Sequence, residues 1–272
     1  MLLAASALKG YAIQATDGRM GWVDDTLFDD QTWKIRWMVI KTGSWLSERK
    51  VLIHPSAIQQ ADFASQVLTV ALSKSQVEAS PDLGQDEPVS RQMESLTFGY
   101  YGWNPHWGPN FFPQGMVMAG TAGLPLSSPY LGGADLREAE RHEAIPEGGD
   151  PHLRSSASVT GYHIHATDGT VGHIENLLID DAGWGIRYLV IDTKNWWPGQ
   201  HVLLSPYAVQ RIDWAEREIR VGVSRDVIKG SPPWDPASLI DRGYEQRLHT
   251  HYGWPGYAYS ALPEPVGPGV AH

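Results

Sequence analysis

Residues 10–103 recur at residues 161–254 at a constant offset of 151, with no insertion or deletion and about a third of the paired positions identical. Both copies open on Gly-Tyr-x-Ile-x-Ala-Thr-Asp-Gly, from Gly10 and from Gly161, and both close on Tyr-Gly-Trp, at Trp103 and Trp254. One long repeat written twice predicts a duplicated domain and not a solenoid, whose units are shorter and more numerous. In a chain of 272 residues this leaves two small cores of roughly 75 residues each, with a tail behind each one.

Several function classes fall away on composition. The chain has no cysteine, which excludes disulfides, thiolate nucleophiles and Cys-ligated zinc. About half of the formal charge of −10 falls at residues 84–159, behind the first core, and neither copy carries a basic stripe, so a nucleic-acid partner is not expected. The opening Met1-Leu2-Leu3-Ala4-Ala5-Ser6-Ala7-Leu8-Lys9 has no basic n-region and reads as the lead into a first strand. No run approaches the roughly 18 apolar residues of a membrane span. A cytoplasmic protein is expected, and any association with a membrane complex would come through a partner. A nucleophilic serine motif, a Gly-rich phosphate loop and a dinucleotide fingerprint are all missing, so neither enzyme activity nor a cofactor is expected.

Along the first copy, Tyr11, Ile13 and Ala15 alternate with polar positions as a strand does, and Asp17-Gly18 supplies a turn. Strands are predicted from about Met20 to Phe28, from Trp33 to Thr42 and from Lys50 to His54, the last closed by Pro55. Ala57–Ala61 and Val67–Leu72 give two more, and Ser73 to Glu78 a capped helical turn stopped by Pro81. Trp33, Ile35, Trp37 and Val39 are placed on one face, with Lys34, Arg36 and Met38 opposite. The second copy repeats each feature. Short strands at regular spacing predict a small antiparallel barrel.

The pattern Gly-Tyr-x-Ile-x-Ala-Thr-Asp-Gly, Gly21 within a strand, Leu27-x-Asp29-Asp30, Trp33-x-Ile35-Arg36-x-x-Val39-Ile40, Val51-Leu52-x-x-Pro55 and Ser80-Pro81 resembles the PRC-barrel family. A short helix leading to Tyr100-Tyr101-Gly102-Trp103, and another to Tyr252-Gly253-Trp254, resembles the trailing segment of its bacterial members. The resemblance covers both copies. It implies an all-β fold of two small PRC-type β-barrels of about six strands, similar to the cytoplasmic domain of the photosynthetic reaction-centre H subunit and to the C-terminal domain of the ribosome maturation factor. The layout expected is barrel 1 at 1–83, then helix, aromatic segment and acidic Gly/Pro-rich linker at 84–158, barrel 2 at 159–234, and helix with aromatic tail at 235–272. A short helix is also predicted over Asp135–Ala144.

Asp29-Asp30 and Asp180-Asp181 bring carboxylates together, but adjacent residues on an extended chain point opposite ways and Asp is a common turn former, so they are read as turns. Arg36 and Arg187 are placed to pair with the Asp29 and Asp180 turns as exposed ion pairs. His163 and His165 share a strand face, with His173 close by, which is metal-ligand spacing; the first copy has Ala12, Gln14 and Trp22 there, so solvated histidines are the preferred reading and no metal is expected. The aromatic residues Tyr101, Trp103, Trp107, Tyr252 and Trp254 are the candidate partner-binding group, against the alternative that each tail covers its own barrel.

The function expected is a non-catalytic interaction module with a protein partner or self-association. Two alternatives stay open: an accessory to quinone, electron or proton transfer, as resemblance to the H subunit implies, and a metal or small-ligand sensor. Positions repeated in both copies report what one barrel needs to fold, so specificity is sought where the copies differ.

Overall fold

The computed structural model describes residues 1–81, 89, 91–103, 150–193, 200–236 and 240–257. Trp107 and the helix predicted over Asp135–Ala144 lie outside these residues. The described chain is mostly strand, in two sheets of seven, with a few short helices.

In the first copy the strands are β1 Leu2–Ala4, β2 Ala12–Ala15, β3 Gly18–Asp29, β4 Ile35–Thr42, β5 Lys50–Ile53, β6 Ile58–Asp62 and β7 Val67–Val70, with helices α1 Ala5–Leu8, α2 Lys74–Glu78 and α3 Arg91–Tyr101. After the connector come β8 Leu153–Ser155, α4 Ser156–Val159, β9 His163–Ala166, β10 Gly169–Asp180, β11 Ile186–Asp192, β12 His201–Leu204, β13 Val209–Asp213, β14 Glu218–Val221, α5 Arg225–Lys229 and α6 Arg242–Tyr252. The sheet orders, β5-β4-β3-β2-β7-β6 and β12-β11-β10-β9-β14-β13, are the same at the repeat offset.

The expectation of wholly antiparallel sheets needs correction, because β2 and β7 run parallel, as do β9 and β14. Pro55 and Pro206 explain this. Each ends a strand and opens a 3-10 turn, Pro55–Ala57 or Pro206–Ala208. The chain passes through that turn without reversing, so the next hairpin returns alongside the first strand in the same sense.

Two compact units divide the chain: Met1–Ala4 with Val159–Ala182 and Ile186–His272, and Ala5–Ser158 with Gly183–Gly185. The short leader strands therefore change places. β1 pairs antiparallel with β10, Leu3 opposite Ile179, and β8 pairs antiparallel with β3, Phe28 opposite Arg154. The leaders are themselves 151 residues apart, so the structural repeat begins eight residues before the sequence repeat.

Within the Ala5–Ser158 unit, hereafter the Arg36 unit, one core holds Ile13, Met20, Val23, Met38, Ile40, Ile53, Leu68 and Val77, each at most 1% exposed. A second forms between the outer side of β3–β4–β5 and α3, from Leu27, Trp37, Val39, Leu52, Val89, Phe98 and Leu153. β4 is thus buried on both faces, which is why its sequence is nearly continuous in apolar residues. Trp33 was expected to begin this strand. It sits instead in a turn at φ 56°, and Trp184 does the same at φ 53°. The Trp33 N–H donates to the Asp29 carbonyl at 2.8 Å and its ring stacks on Phe28 at 5.6 Å, interactions that offset the roughly 1 kcal/mol cost of a left-handed side-chain-bearing residue.

The repeated Asp-Gly turns do more than reverse the chain. Asp17 accepts the Lys74 N–H at 2.9 Å and Asp168 accepts the Arg225 N–H at 2.8 Å, so each carboxylate ties the hairpin to the first residue of α2 or α5.

Candidate functional site

Where the trailing helix docks, both units use the same device, an arginine from the sheet clasping a glutamate from the helix. In the Arg36 unit, Arg36 on β4 meets Glu94 on α3 at 2.6 Å, Asp29 at 3.3 Å and Asp150 at 2.8 Å. The Trp37 indole N–H also donates to Glu94. Neighbours in sequence thus reach one carboxylate, because the β3–β4 register shifts between Leu27 and Phe28 and breaks the alternation there. The Arg36–Asp29 pair was predicted as an exposed one, but the Arg36 side chain is 6% exposed and that of Glu94 0%. Asp29 keeps its turn role as well, accepting the Gln31 and Thr32 N–H groups.

Burial drives the Glu94 carboxyl up to about 7, while Arg36 and Trp37 oppose the shift and Asp150 adds to it. Burial also works against ionised Asp150, but the His152 N–H and the Arg36 guanidinium outweigh it and hold that carboxyl below the usual carboxylate range. The unfolded chain releases the Glu94 proton near 4.5 and the folded chain only near 7. Its contribution is therefore fully present below about 4.5 and lost as pH rises through 7, whereas the Asp150 contribution is lost only on acidification below its unfolded value of 3.8. The Arg36 unit is expected to be most stable near pH 5 and to weaken by about 3 kcal/mol at pH 8. Urea titrations followed by tryptophan fluorescence at the two pH values check this, and Glu94→Gln is expected to flatten the difference.

In the other unit, hereafter the Arg187 unit, the same positions carry different chemistry. Arg187 reaches Asp180 at 3.0 Å and Glu245 on α6 at 3.5 Å. The Tyr257 ring covers the guanidinium at 4.6 Å. Tyr188 replaces Trp37 and His249 replaces Phe98. The Tyr188 hydroxyl lies 3.0 Å from Glu245 and 2.9 Å from His249 Nε2, and His249 Nδ1 donates to the Pro255 carbonyl at 2.7 Å. The Tyr257 hydroxyl lies 2.9 Å from Ser205, which replaces His54, and donates to the Arg187 carbonyl. Burial raises the Tyr188 phenol first, with the Glu245 carboxylate adding to it, and pushes Tyr257 up to about 12, so both stay protonated donors.

Trp37, His54, Phe98 and Trp103 pack against one another at tilted or edge-on angles in the Arg36 unit, their ring centroids 4.8 to 6.2 Å apart. In the Arg187 unit a cleft of about 470 Å³ lies along α6, with Arg242, Gln246 and Thr250 on the helix side and Trp254 and Tyr257 on the other, over Glu245 and His249. Its size and its mixed aromatic and polar lining suit a binding pocket.

Of the predicted partner-binding aromatics among the described residues, Tyr101 stacks on Trp103 at 4.3 Å and Tyr252 on Trp254 at 4.1 Å, with Trp103 packed on the helix–sheet core of the Arg36 unit and Tyr252 and Trp254 on that of the Arg187 unit. Gly102 and Gly253, at φ 67° and 69°, end the helices in the left-handed conformation that sends each Trp back onto the sheet. The helices, expected to lead into these aromatic segments, take in Tyr101 and Tyr252 themselves. His163 and His173 face each other across β9 and β10, and His165 lies 3.4 Å from Glu218. Among the described residues no group of three His, Asp or Glu is placed to hold a metal ion, and no helix is long and apolar enough to cross a membrane.

Glu94 and Glu245 were not singled out from sequence, although they stand 151 apart and are identical in helices that share few other residues. Asp150 had no such signal, since nothing in the repeat corresponds to it. The sheet geometry accords with a comparison against known families, in which residues 2–77 match the PRC-barrel domain. The PRC-barrel match stops before α3, so Asp29, Arg36 and Trp37 lie inside it and Glu94 and Asp150 beyond it. No curated protein matches the chain.

Proposed function

We propose that the chain is a non-catalytic interaction module, in which residues 159–236 are a second PRC-type copy and the cleft beside α6 receives a protein partner. The observation that carries this reading is the cleft beside α6, which has aromatic walls and hydrogen-bonding groups at its rim. Both glutamates and both arginines are engaged in holding the helices, which favours docking over chemistry. The identical sheet order and register at the repeat offset support the second PRC-type copy.

The test is native purification with cross-linking mass spectrometry, comparing the unaltered chain with Thr250→Arg, which places a long side chain across the cleft from an exposed helix position. A partner cross-linked to α6 is expected, with recovery falling about tenfold in the variant while the circular dichroism is unchanged, a loss equal to one well-placed contact. Equal recovery from both proteins rejects the cleft as the docking surface. Turnover of a substrate abolished by the same substitution rejects the non-catalytic reading.

A further inference from the structure

The two leader strands are not interchangeable, and the residues that distinguish them match the edges they occupy. β8 lies on the edge of β3, where Ser155 and Ser156 donate to Asp25, Ser156 at 3.1 Å, and the Ser156 and Thr26 hydroxyls meet at 2.8 Å. Thr26 is 1% exposed and Ser156 7%. Asp30 receives Arg154 at 3.1 Å and lies 3.0 Å from the His152 ring. β1 lies on the edge of β10, where the positions equivalent to Asp25 and Thr26 are Asn176 and Leu177, and those equivalent to Ser155 and Ser156 are Ala4 and Ala5. There Leu2 and Ala4 join the apolar cluster around Tyr188, Leu203 and Leu248.

Returning each leader to its own copy would mismatch both edges. Ala4 and Ala5 at the Asp25–Thr26 edge would leave a buried hydroxyl and a carboxylate without their donors. Ser155 and Ser156 at the other edge would put two hydroxyls beside Asn176 and Leu177. Stranding a buried polar group costs about 1 to 3 kcal/mol, so the exchanged arrangement is favoured by the sequence itself.

We propose that the outer edges of β3 and β10 are strand-docking sites of different specificity, and that the Asp25–Thr26 edge takes a strand from the second half of the chain with one hydroxyl at its end and a second on the residue that follows. The backbone pairing supplies affinity and the two hydroxyls supply selection, as in other cases of strand addition to a sheet edge. Residues 1–4 belong covalently to the first half and complete the Arg187 unit. Residues 153–155 belong to the second half and complete the Arg36 unit. The halves are thereby fastened by two exchanged strands, with the connector serving only to raise their effective concentration. This inference is independent of the cleft.

The test uses the full chain with a specific protease site inserted in the connector, cut to completion and examined by size exclusion and native mass spectrometry. The two fragments are expected to remain one particle at micromolar concentration. Thr26→Leu with Asp25→Asn, which rewrites this edge as the other, is expected to raise the dissociation constant of the cut chain at least about tenfold. Adding Ser155→Ala with Ser156→Ala is expected to restore it, which a merely misfolded edge would not allow. Separation of the unmodified fragments, or no rescue by the alanines, overturns the proposal.

Discussion

Arg36→Met is expected to destabilise the Arg36 unit by about 3 to 5 kcal/mol, the cost of removing one partner from a buried ion cluster. Methionine occupies similar volume, so the loss comes from what is stranded: Asp29, Glu94 and Asp150 all face the guanidinium. Small domains are stable by only about 5 to 15 kcal/mol, so the unit would open far more readily than its counterpart. Arg187→Met is expected to cost less, about 2 kcal/mol. It faces two carboxylates, its side chain is 12% exposed against 6% for Arg36, and Tyr257 can settle on the methionine. Urea midpoints of the two variants give the comparison. Adding Glu94→Gln to Arg36→Met tests the cause, since it removes one stranded carboxylate and is expected to recover part of the loss. If it recovers nothing, packing rather than charge carries the effect.

What the sequence disclosed depended on what kind of interaction each residue makes. The strands were legible because alternation and Asp-Gly turns are local signals, and the repeat allowed each to be read twice. The Arg36–Asp29 pair was legible as well, seven residues apart across one hairpin. Its burial was not, because that comes from Glu94 and Asp150, which are 58 and 114 positions away. Trp33 misled for a different reason: its apolar side chain fits the strand pattern, but the Asp29 turn fixes its backbone in the left-handed region. The direction of β7 was hidden in Pro55, which reads as a stop and acts as a corner.

The exchanged leaders show how a duplication carries information in its differences. Both leaders are short, and β1 alone would be taken for a strand in its own domain. Only when Ser155 and Ser156 are set against Ala4 and Ala5, and Asp25 and Thr26 against Asn176 and Leu177, does the pairing become readable. The same comparison separates the clasps, in which Trp37 and Phe98 on one side stand against Tyr188 and His249 on the other. Arg36, Arg187, Glu94 and Glu245, being common to both, hold the helices.

Gly21→Ala and Gly172→Ala are expected to be the most damaging of the conservative substitutions at positions common to both copies. A Cβ at Gly21 would lie 2.2 Å from the Lys41 carbonyl oxygen and 2.9 Å from Thr42 Cα, and one at Gly172 would lie 2.0 Å from the Asp192 carbonyl oxygen. Those are backbone atoms of the neighbouring strand and cannot rotate away, so β3 and β4, or β10 and β11, must separate where their pairing begins. Overpacking that forces backbone movement costs about 3 kcal/mol, and the two sites lie in different units, so the double variant is expected to lose close to the sum. Gly99 supplies the control. It lies inside α3 with nothing within 4 Å of its Cβ position, and Gly99→Ala is expected to stabilise the helix by about 0.5 to 1 kcal/mol. Opposite signs from one chemical change, measured as shifts in the urea midpoint, would establish that the cost at Gly21 and Gly172 arises from close approach of the strands. Equal effects at all three positions would show that the clash is relieved by relaxation.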